Sequence, residues 1–443
     1  MRDFPQELVD QVVEFLHDDV DSLRHCRLVC HAWDNSSSTH LFRSLNLLVS
    51  ASSSLQNNCE VTSPMDRKLA KLKTLLALLK TSTTIQHYVR KVTFGRTSLL
   101  AVEDPVLYEQ AEYARTLTSV FAHLHRLSDL FFREIDWSTL VGVLRTCILN
   151  ICQTPTVQNI DIWNCQFPSI PTLLNFLYSC KGVQTLRLTH IRILNLSLNT
   201  DREMDEVNAT DFGHQDRDTL RSLTIDSVPI PPKLYALLGM KGVIDFTRLS
   251  KLCLNNVTDA ATIRECLERS GKSLEHLELR TSPFYRKPHD PSTPGPDLSH
   301  CPNLRHLRIS GLQWTPTLCP AESLSATFAN INASAYPLES LHLFVTVIKP
   351  RTFIFTQPSS ASLSASDSTQ TSDSIIEPSA PVSKDLNYGA WSILDSTLVQ
   401  PQFTCLKSMH IRITPLRAGD VDLSRLSEAF RTIHKSGVDV QCT

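Results

Sequence analysis

Glycine is scarce in this chain, with 12 glycines among 443 residues. Neither a G-x-x-x-x-G-K phosphate-binding loop nor a G-x-S-x-G nucleophile elbow occurs in the sequence. The isolated His, Asp and Ser residues show no spacing that is typical of a catalytic triad. The sequence therefore predicts a protein that is not an enzyme and that requires no cofactor.

Long apolar runs and clusters of basic residues are also missing. The opening stretch lacks the basic start and the unbroken apolar centre of a secretory signal, and no segment is apolar enough to span a bilayer. The formal net charge is -2, so the chain carries no general positive field. Because nucleic acids and anionic lipids are recognised first through such a field, we expect neither a nucleic acid nor a membrane as a partner.

Cysteines are present, but their spacing shows no paired motif. The 13 cysteines are an odd number and include no C-x-x-C pair. Cys26 and Cys30, with His31 beside them, lack the second ligand pair that a zinc site needs, so no metal site is predicted. This usage is typical of a reducing compartment, and we expect the protein in the cytoplasm, the nucleus or both.

The first 33 residues contain much apolar surface for helices so short. Phe4-Pro5 resembles a helix start, because proline is tolerated in a first turn. Asp21 or Ser22 could cap a second helix. A unit of this size cannot bury all of its apolar residues alone. Either the following domain covers them or a partner protein does.

The pattern itself favours a partner. Phe-Pro-x-Glu-Leu-x-x-x-Val-x-x-x-Leu, followed by Leu-x-x-Cys-x-x-Val-Cys-x-x-Trp, resembles the F-box over residues 1–45. The resemblance implies a three-helix module that docks on the Skp-type adaptor of a cullin-based SCF ubiquitin ligase. The implied adaptor-binding residues are Phe4, Pro5, Leu8, Val12, Leu16, Leu23, Val29, Cys30 and Trp33.

A six-residue phrase recurs through the rest of the chain: aliphatic, two polar, aliphatic, polar, aliphatic. Neighbouring copies lie 25 to 38 residues apart until the last gap, and amphipathic helix candidates lie between them. Such a period predicts an α/β solenoid of parallel strands and helices. The copies begin at Val89, Leu127, Val157, Val183, Leu220, Leu249, Leu274, Leu304, Leu338 and Leu406.

The repeating unit resembles an irregular leucine-rich repeat over residues 65–443, with residues 46–64 as a linker or a capping strand. Regular members of that family carry Asn or Cys after each strand, where it bonds the backbone of the turn. Here Cys165 fills that slot once, and Ile135, Ile191, Val228, Val257 and Leu312 fill it elsewhere. The resemblance implies parallel strands on a concave face and helices on a convex face.

The polar positions of the phrase form the predicted substrate-binding surface, because a concave sheet presents many side chains to one partner. Trp163 is unusual there, since tryptophan and arginine are favoured binding anchors. The candidate residues are Asp161, Trp163, Arg187, Thr224, Lys251, Glu278, Arg280, Arg308, His342 and Arg412.

Three segments interrupt the repeats. Residues 199–218 are acidic and polar and are predicted to form a surface loop, and residues 281–300 carry five prolines. Residues 357–385 are rich in Ser and Thr with almost no bulky side chains, which predicts a disordered insertion.

The two resemblances together predict the substrate-recognition subunit of an SCF-type ubiquitin ligase. Its partners would be the Skp-type adaptor, the cullin reached through that adaptor, and a protein substrate of unknown identity. Two alternatives remain open at this point. One is a binding scaffold of the same architecture that directs no degradation, and the other is an enzyme with an unrecognised site.

Overall fold

The computed structural model describes thirteen stretches of the chain, which divide into two compact units, residues 1–274 and 275–443. The segments 199–218 and 357–385 lie outside the described residues, and of 281–300 only residues 296–300 are described. The described residues are 5–47, 64–95, 107–140, 142–180, 182–195, 220–227, 246–256, 260–280, 296–315, 319–331, 336–348, 386–414 and 421–443.

The first unit begins with three helices, α1 (Gln6–Phe15), α2 (Val20–Cys26) and α3 (His31–Arg43). Asp19 caps α2, since its carboxylate accepts a hydrogen bond from the Ser22 backbone N–H at 3.0 Å. The predicted caps Asp21 and Ser22 are therefore wrong, because both lie inside the helix. The three helices share a small core made of Val9, Val13 and Leu23, with Leu16, Trp33 and Leu41 packed against it.

Seven strands of the first unit pair in parallel and follow chain order, except that two strands of a separate small sheet are skipped. The seven are β1 (Ser44–Asn46), β2 (Lys91–Gly95), β3 (Asp129–Arg133), β4 (Asn159–Trp163), β6 (Thr185–Thr189), β8 (Ser222–Asp226) and β9 (Lys251–Asn255). The small sheet pairs β5 (Gln166–Ser169) with β7 (Arg192–Asn195).

Helices lie between the successive paired strands from β1 to β6, because parallel neighbours need a crossover connection. Buried aromatic side chains fill the space between the helices and the sheet, including Phe132, Trp137, Phe167 and Phe176. The helices are α4 (Pro64–Thr81), α5 (Thr83–Tyr88), α6 (Leu107–Ala122), α7 (Gly142–Cys152), α8 (Ile170–Ser179) and α9 (Ala260–Ser270), with 3-10 turns at Phe246–Arg248 and Gly271–Ser273.

The second unit repeats the same plan with five parallel strands in chain order. They are β10 (His276–Arg280), β11 (His306–Trp314), β12 (Ser340–Val347), β13 (Ser408–Thr414) and β14 (Asp439–Cys442). The helices are α10 (Pro320–Ala329), α11 (Gly389–Leu398), α12 (Leu423–Ala429) and α13 (Arg431–Lys435), with 3-10 turns at Leu298–His300 and Pro401–Phe403.

The predicted α/β repeat fold is confirmed. Each of the ten sequence phrases contains the start of a strand, which begins at the third residue of the phrase. The aliphatic positions are buried, as in Val89, Val92 and Phe94 of the first phrase. The intervening polar positions form the opposite face, which we call the polar face of each sheet. Both units are thus built of solenoid-like repeats of strand and helix.

A left-handed residue directly follows each of five strands in the first unit. The backbone φ is 55° at Glu134, 52° at Asn164, 53° at His190, 50° at Ser227 and 59° at Asn256. The N–H of such a residue donates to the carbonyl that ends the next strand, for example at 2.8 Å from Asn164 to Thr189. One residue per repeat therefore turns the chain away from the sheet in the same way.

The slot after this turn is apolar. Ile135, Cys165 and Ile191 are buried, whereas Val228 and Val257 lie outside the described residues. Cys165 bonds the turn backbone, because its Sγ accepts a hydrogen bond from the Ile135 N–H at 3.4 Å. Burial raises the pKa of the Cys165 thiol to about 12, so this thiol stays protonated near neutral pH.

Substitution of His190 tests the turn. A left-handed φ costs a residue with a Cβ about 1–2 kcal/mol, and glycine avoids that cost. We expect His190→Gly to raise the free energy of unfolding by up to about 1 kcal/mol and His190→Val to lower it by about 1–2 kcal/mol. Chemical denaturation of both variants checks this, and two shifts of the same sign would contradict it.

Candidate partner-binding surfaces

The N-terminal helices expose large apolar side chains that their own core does not use. Leu8, Val12 and Phe15 are 44%, 41% and 88% exposed and share one face of α1 at i, i+4 and i+7 spacing. Leu28 and Val29, in the turn after α2, are 83% and 64% exposed. Together with Val20 at the start of α2, these residues form what we call the N-terminal apolar set. Exposed apolar side chains in such numbers are typical of surfaces that bind other proteins.

The sequence-predicted adaptor-binding residues fall into three groups. Pro5, Leu8, Val12, Val29 and Cys30 are exposed, and Phe4 lies outside the described residues. Leu23 is instead buried within the module at 1% exposure, and Leu16 and Trp33 are half-buried against the same core. Leu23 therefore supports the module from inside and offers no contact surface of its own.

Sequence reasoning missed three members of the apolar set as contact residues: Phe15, Val20 and Leu28. Phe15 extends the exposed face of α1 that Leu8 and Val12 form, whereas Val9 and Val13 form the buried face. The sequence signal lies in two adjacent apolar pairs, Val12-Val13 and Phe15-Leu16. In each pair one residue packs in or against the core and the other faces solvent.

An ion pair holds the exposed turn before α3. The Arg27 Nε donates to Asp34 Oδ1 at 2.7 Å, and the Arg27 guanidinium lies 5.6 Å from the centre of the Phe42 ring. The hydrogen bond from Arg27 lowers the pKa of the Asp34 carboxyl, and a second bond from Ser38 lowers it further. The turn that presents Leu28 and Val29 is thus fixed at both ends.

On the polar face of the first unit, cations and aromatic rings interleave. Arg133 donates to Asp161 at 2.9 Å, and its guanidinium lies 5.5 Å from the Phe131 ring and 5.8 Å from the Trp163 ring. Lys91 Nζ lies 4.0 Å from the centre of the Phe131 ring. Such cation–π contacts order the side chains while leaving polar and aromatic edges for a partner.

On the polar face of the second unit, arginine and histidine predominate. Arg308 Nε lies 3.4 Å from Glu278 Oε1, and its guanidinium lies 4.4 Å from the centre of the Phe344 ring. The His342 and His410 rings stack at 4.7 Å. Burial lowers the pKa of His342, and the neighbouring His410 and Arg308 add to that effect.

All ten predicted substrate-binding residues lie in strands at polar positions. Asp161, Trp163, Thr224, Glu278 and His342 are half-buried. The exposed ones are Arg187, Lys251, Arg280, Arg308 and Arg412. Whether they bind a substrate stays a prediction.

Their aromatic and histidine neighbours are not among the residues predicted from the sequence. Phe131 takes the fifth position of its phrase, which is polar or small in the other phrases. His306, His410 and Phe344 lie at polar positions as well. If the fifth residue of every phrase is counted as a candidate, Phe131 and His410 are included.

The described stretches also bear on metal sites and on membrane-spanning helices. Within them, no group of three or more His, Cys, Asp and Glu side chains is placed to hold a metal ion, and no helix is both long and apolar enough to cross a membrane. A cavity of about 250 Å³ lies between β1, α4 and α6, with Lys68, Lys71 and Tyr113 among its lining residues. Burial raises the pKa of Tyr113 to about 12 and lowers that of Lys68.

Comparison with known proteins gives little. No protein-family model and no curated protein matches the chain. The chain is similar to a solved structure described as the crystal structure of the Rad7 and Elc1 complex in yeast, at 13% sequence identity and a TM-score of 0.30. The match covers 95% of this chain and 97% of that chain. A likeness with this TM-score supports no inference about function.

Proposed function

We propose that this protein is the substrate-recognition subunit of an SCF-type ubiquitin ligase. In this proposal the three N-terminal helices dock on a Skp-type adaptor, the adaptor connects them to a cullin, and the repeats bind the protein to be ubiquitinated. The observation that carries the proposal is the N-terminal apolar set. Leu8, Val12 and Phe15 stay exposed on one face of α1 although the module has its own core.

The energetics of a docked module agree with this arrangement. An ordinary protein–protein interface buries on the order of 1,600 Å² and depends on a few central anchors. Apolar side chains on α1 and in the turn after α2 provide such anchors, and the Arg27–Asp34 pair orders the turn before docking. Less conformational entropy is then lost on binding.

The proposed role is not catalytic. Ubiquitin transfer belongs to the conjugating enzyme at the far end of the complex, and this chain contributes proximity by holding a substrate lysine near it. We place the protein in the cytoplasm, the nucleus or both, where such ligases act and where unpaired cysteines remain reduced.

Co-expression with a Skp-type adaptor tests the proposal directly. We expect the full chain to co-purify with the adaptor and the pair to elute as one complex in size-exclusion chromatography. A chain that is folded by circular dichroism yet leaves the adaptor behind would overturn the proposed function.

Trp163 is the expected anchor for the substrate. Tryptophan anchors contribute about 2 kcal/mol or more, which corresponds to roughly thirtyfold in affinity. We expect Trp163→Ala to reduce at least tenfold the recovery of proteins that proximity labelling captures with the wild-type chain. Leu194→Ala is the control, because Leu194 is 59% exposed in the same unit but lies in the small sheet. Equal losses in both variants would argue against a Trp163 site.

A further inference from the structure

Four histidines lie in two stacked pairs on the polar face of the second unit. His276 and His306 are register partners on β10 and β11, and their ring centres lie 4.3 Å apart. His342 and His410 are register partners on β12 and β13 at 4.7 Å. His306 Nδ1 also lies 2.7 Å from the Ser340 hydroxyl. Four adjacent strands thus carry two imidazole pairs, which are offset from each other by two register positions.

Three arginines extend along the same face. Arg280, Arg308 and Arg412 are exposed on β10, β11 and β13. The carboxylates on this face are Glu278, 3.4 Å from Arg308, and Asp439 on the terminal strand. With neutral histidines the face carries a small positive excess, and protonation of the histidines enlarges it. We call this set the histidine–arginine face.

We propose that the histidine–arginine face binds an acidic segment of a protein substrate, and that it binds this segment more tightly as the pH falls. The proposal rests on the proposed function only in regarding the bound protein as a substrate. Charge complementarity selects the occupant, because arginine forks pair with carboxylates and Phe344 gives the bound backbone an apolar edge.

The pH dependence follows from what surrounds His342. His306 and Arg308 face it from β11, and His410 and Arg412 lie on β13. Burial first, and then His410, Arg308 and His306, lower the pKa of His342, so it is mostly neutral near pH 7. A carboxylate placed on the face offsets the repulsion and favours protonation. By linkage, lower pH therefore favours the bound state.

A peptide fits this face better than a nucleic acid does. Glu278 lies among the arginines. A phosphate backbone carries a charge at every step and would meet this carboxylate with repulsion, whereas an acidic peptide can place its carboxylates at separate arginines. Tighter binding of a nucleic acid is one of the outcomes that the test can reveal.

Fluorescence anisotropy with the full chain and a labelled decaglutamate peptide tests the proposal at low ionic strength. We expect the affinity to rise about threefold to tenfold between about pH 7.5 and about pH 6. A decathreonine peptide is the matched uncharged probe, and oligothymidylate of equal charge is the nucleic-acid probe. No binding of decaglutamate, or tighter binding of oligothymidylate, overturns the proposal.

Two variants locate the binding. We expect Arg308→Ala with Arg412→Ala to weaken decaglutamate binding about tenfold, while Arg431→Ala on α13 leaves it unchanged. His342→Asn with His410→Asn should keep binding at higher pH and reduce the pH dependence, because only His276 and His306 then remain on the face. An unchanged affinity in the arginine variant, or a pH response as large as that of the wild type in the histidine variant, overturns the corresponding part.

This experiment contains no adaptor. Its result therefore does not depend on the N-terminal module, because a chain that binds no adaptor can still bind the peptide.

Discussion

Leu8→Asp combined with Val12→Asp is expected to abolish co-purification of the Skp-type adaptor. Both side chains are more than two-fifths exposed on one face of α1, so aspartate there is solvated in the free chain. In the complex each aspartate would be buried without a partner and would also lose an apolar anchor, at about 2 kcal/mol or more each. The sum of about 4 kcal/mol corresponds to roughly a thousandfold loss of affinity.

The matched control is Ile393→Asp on α11. Ile393 is also an exposed aliphatic residue, at 55%, but it lies in the second unit. We expect this variant to bind the adaptor as the wild type does, and circular dichroism should show native helix content in both. Retained adaptor binding by the α1 double variant would place the docking surface elsewhere and remove the main support for the ligase proposal.

Asp395→Ala is expected to cause a large loss of stability in the second unit. Asp395 is 3% exposed in α11, and its carboxylate accepts hydrogen bonds from the backbone N–H groups of Thr432 at 3.1 Å and Ile433 at 2.8 Å. Those groups begin α13, where no helical carbonyl is available to them. Their loss should lower the free energy of unfolding by about 3 kcal/mol.

Urea denaturation measures this effect, with Ser396→Ala as the neighbouring control because Ser396 is exposed and bonds only within its own helix, to the Ser392 carbonyl. Asp395→Asn should fall between the wild type and Asp395→Ala, since an amide oxygen can accept one of the two bonds. If Asp395→Ala and Ser396→Ala unfold at the same urea concentration, the side chain does not hold α13.

The repeats were readable from sequence because one local pattern recurs. Phrases such as the one that contains β6 bury Leu186 and Leu188 and expose Arg187 between them, which is the alternation of a strand with one covered face. The helices over Ile170–Ser179 and Ala260–Ser270 were also readable, since each carries an amphipathic pattern. Local chemistry alone determines these elements.

Other features depend on contacts that no local pattern encodes. Asp395 and Ile433 are 38 residues apart, so their hydrogen bond becomes visible only in the fold. Two of the left-handed turns fall on Glu134 and Ser227, residue types that give no signal for a positive φ, whereas Asn164, His190 and Asn256 belong to types that are enriched there. On α1, Val9 and Leu8 are both apolar, and the positions of α2 and α3 decide which of them is buried.

The junction of the N-terminal helices with the first strand has a consequence for geometry. Ser44 ends α3 and begins β1, which pairs with β2, and the Tyr88 hydroxyl bonds to Asn35 of α3 at 2.6 Å. The direct passage from helix to strand leaves no hinge at this point. In a ligase of the proposed kind, folding itself would therefore set the orientation of the first strands relative to the docked helices, and no flexible linker at this point would alter the direction in which a substrate lysine is presented.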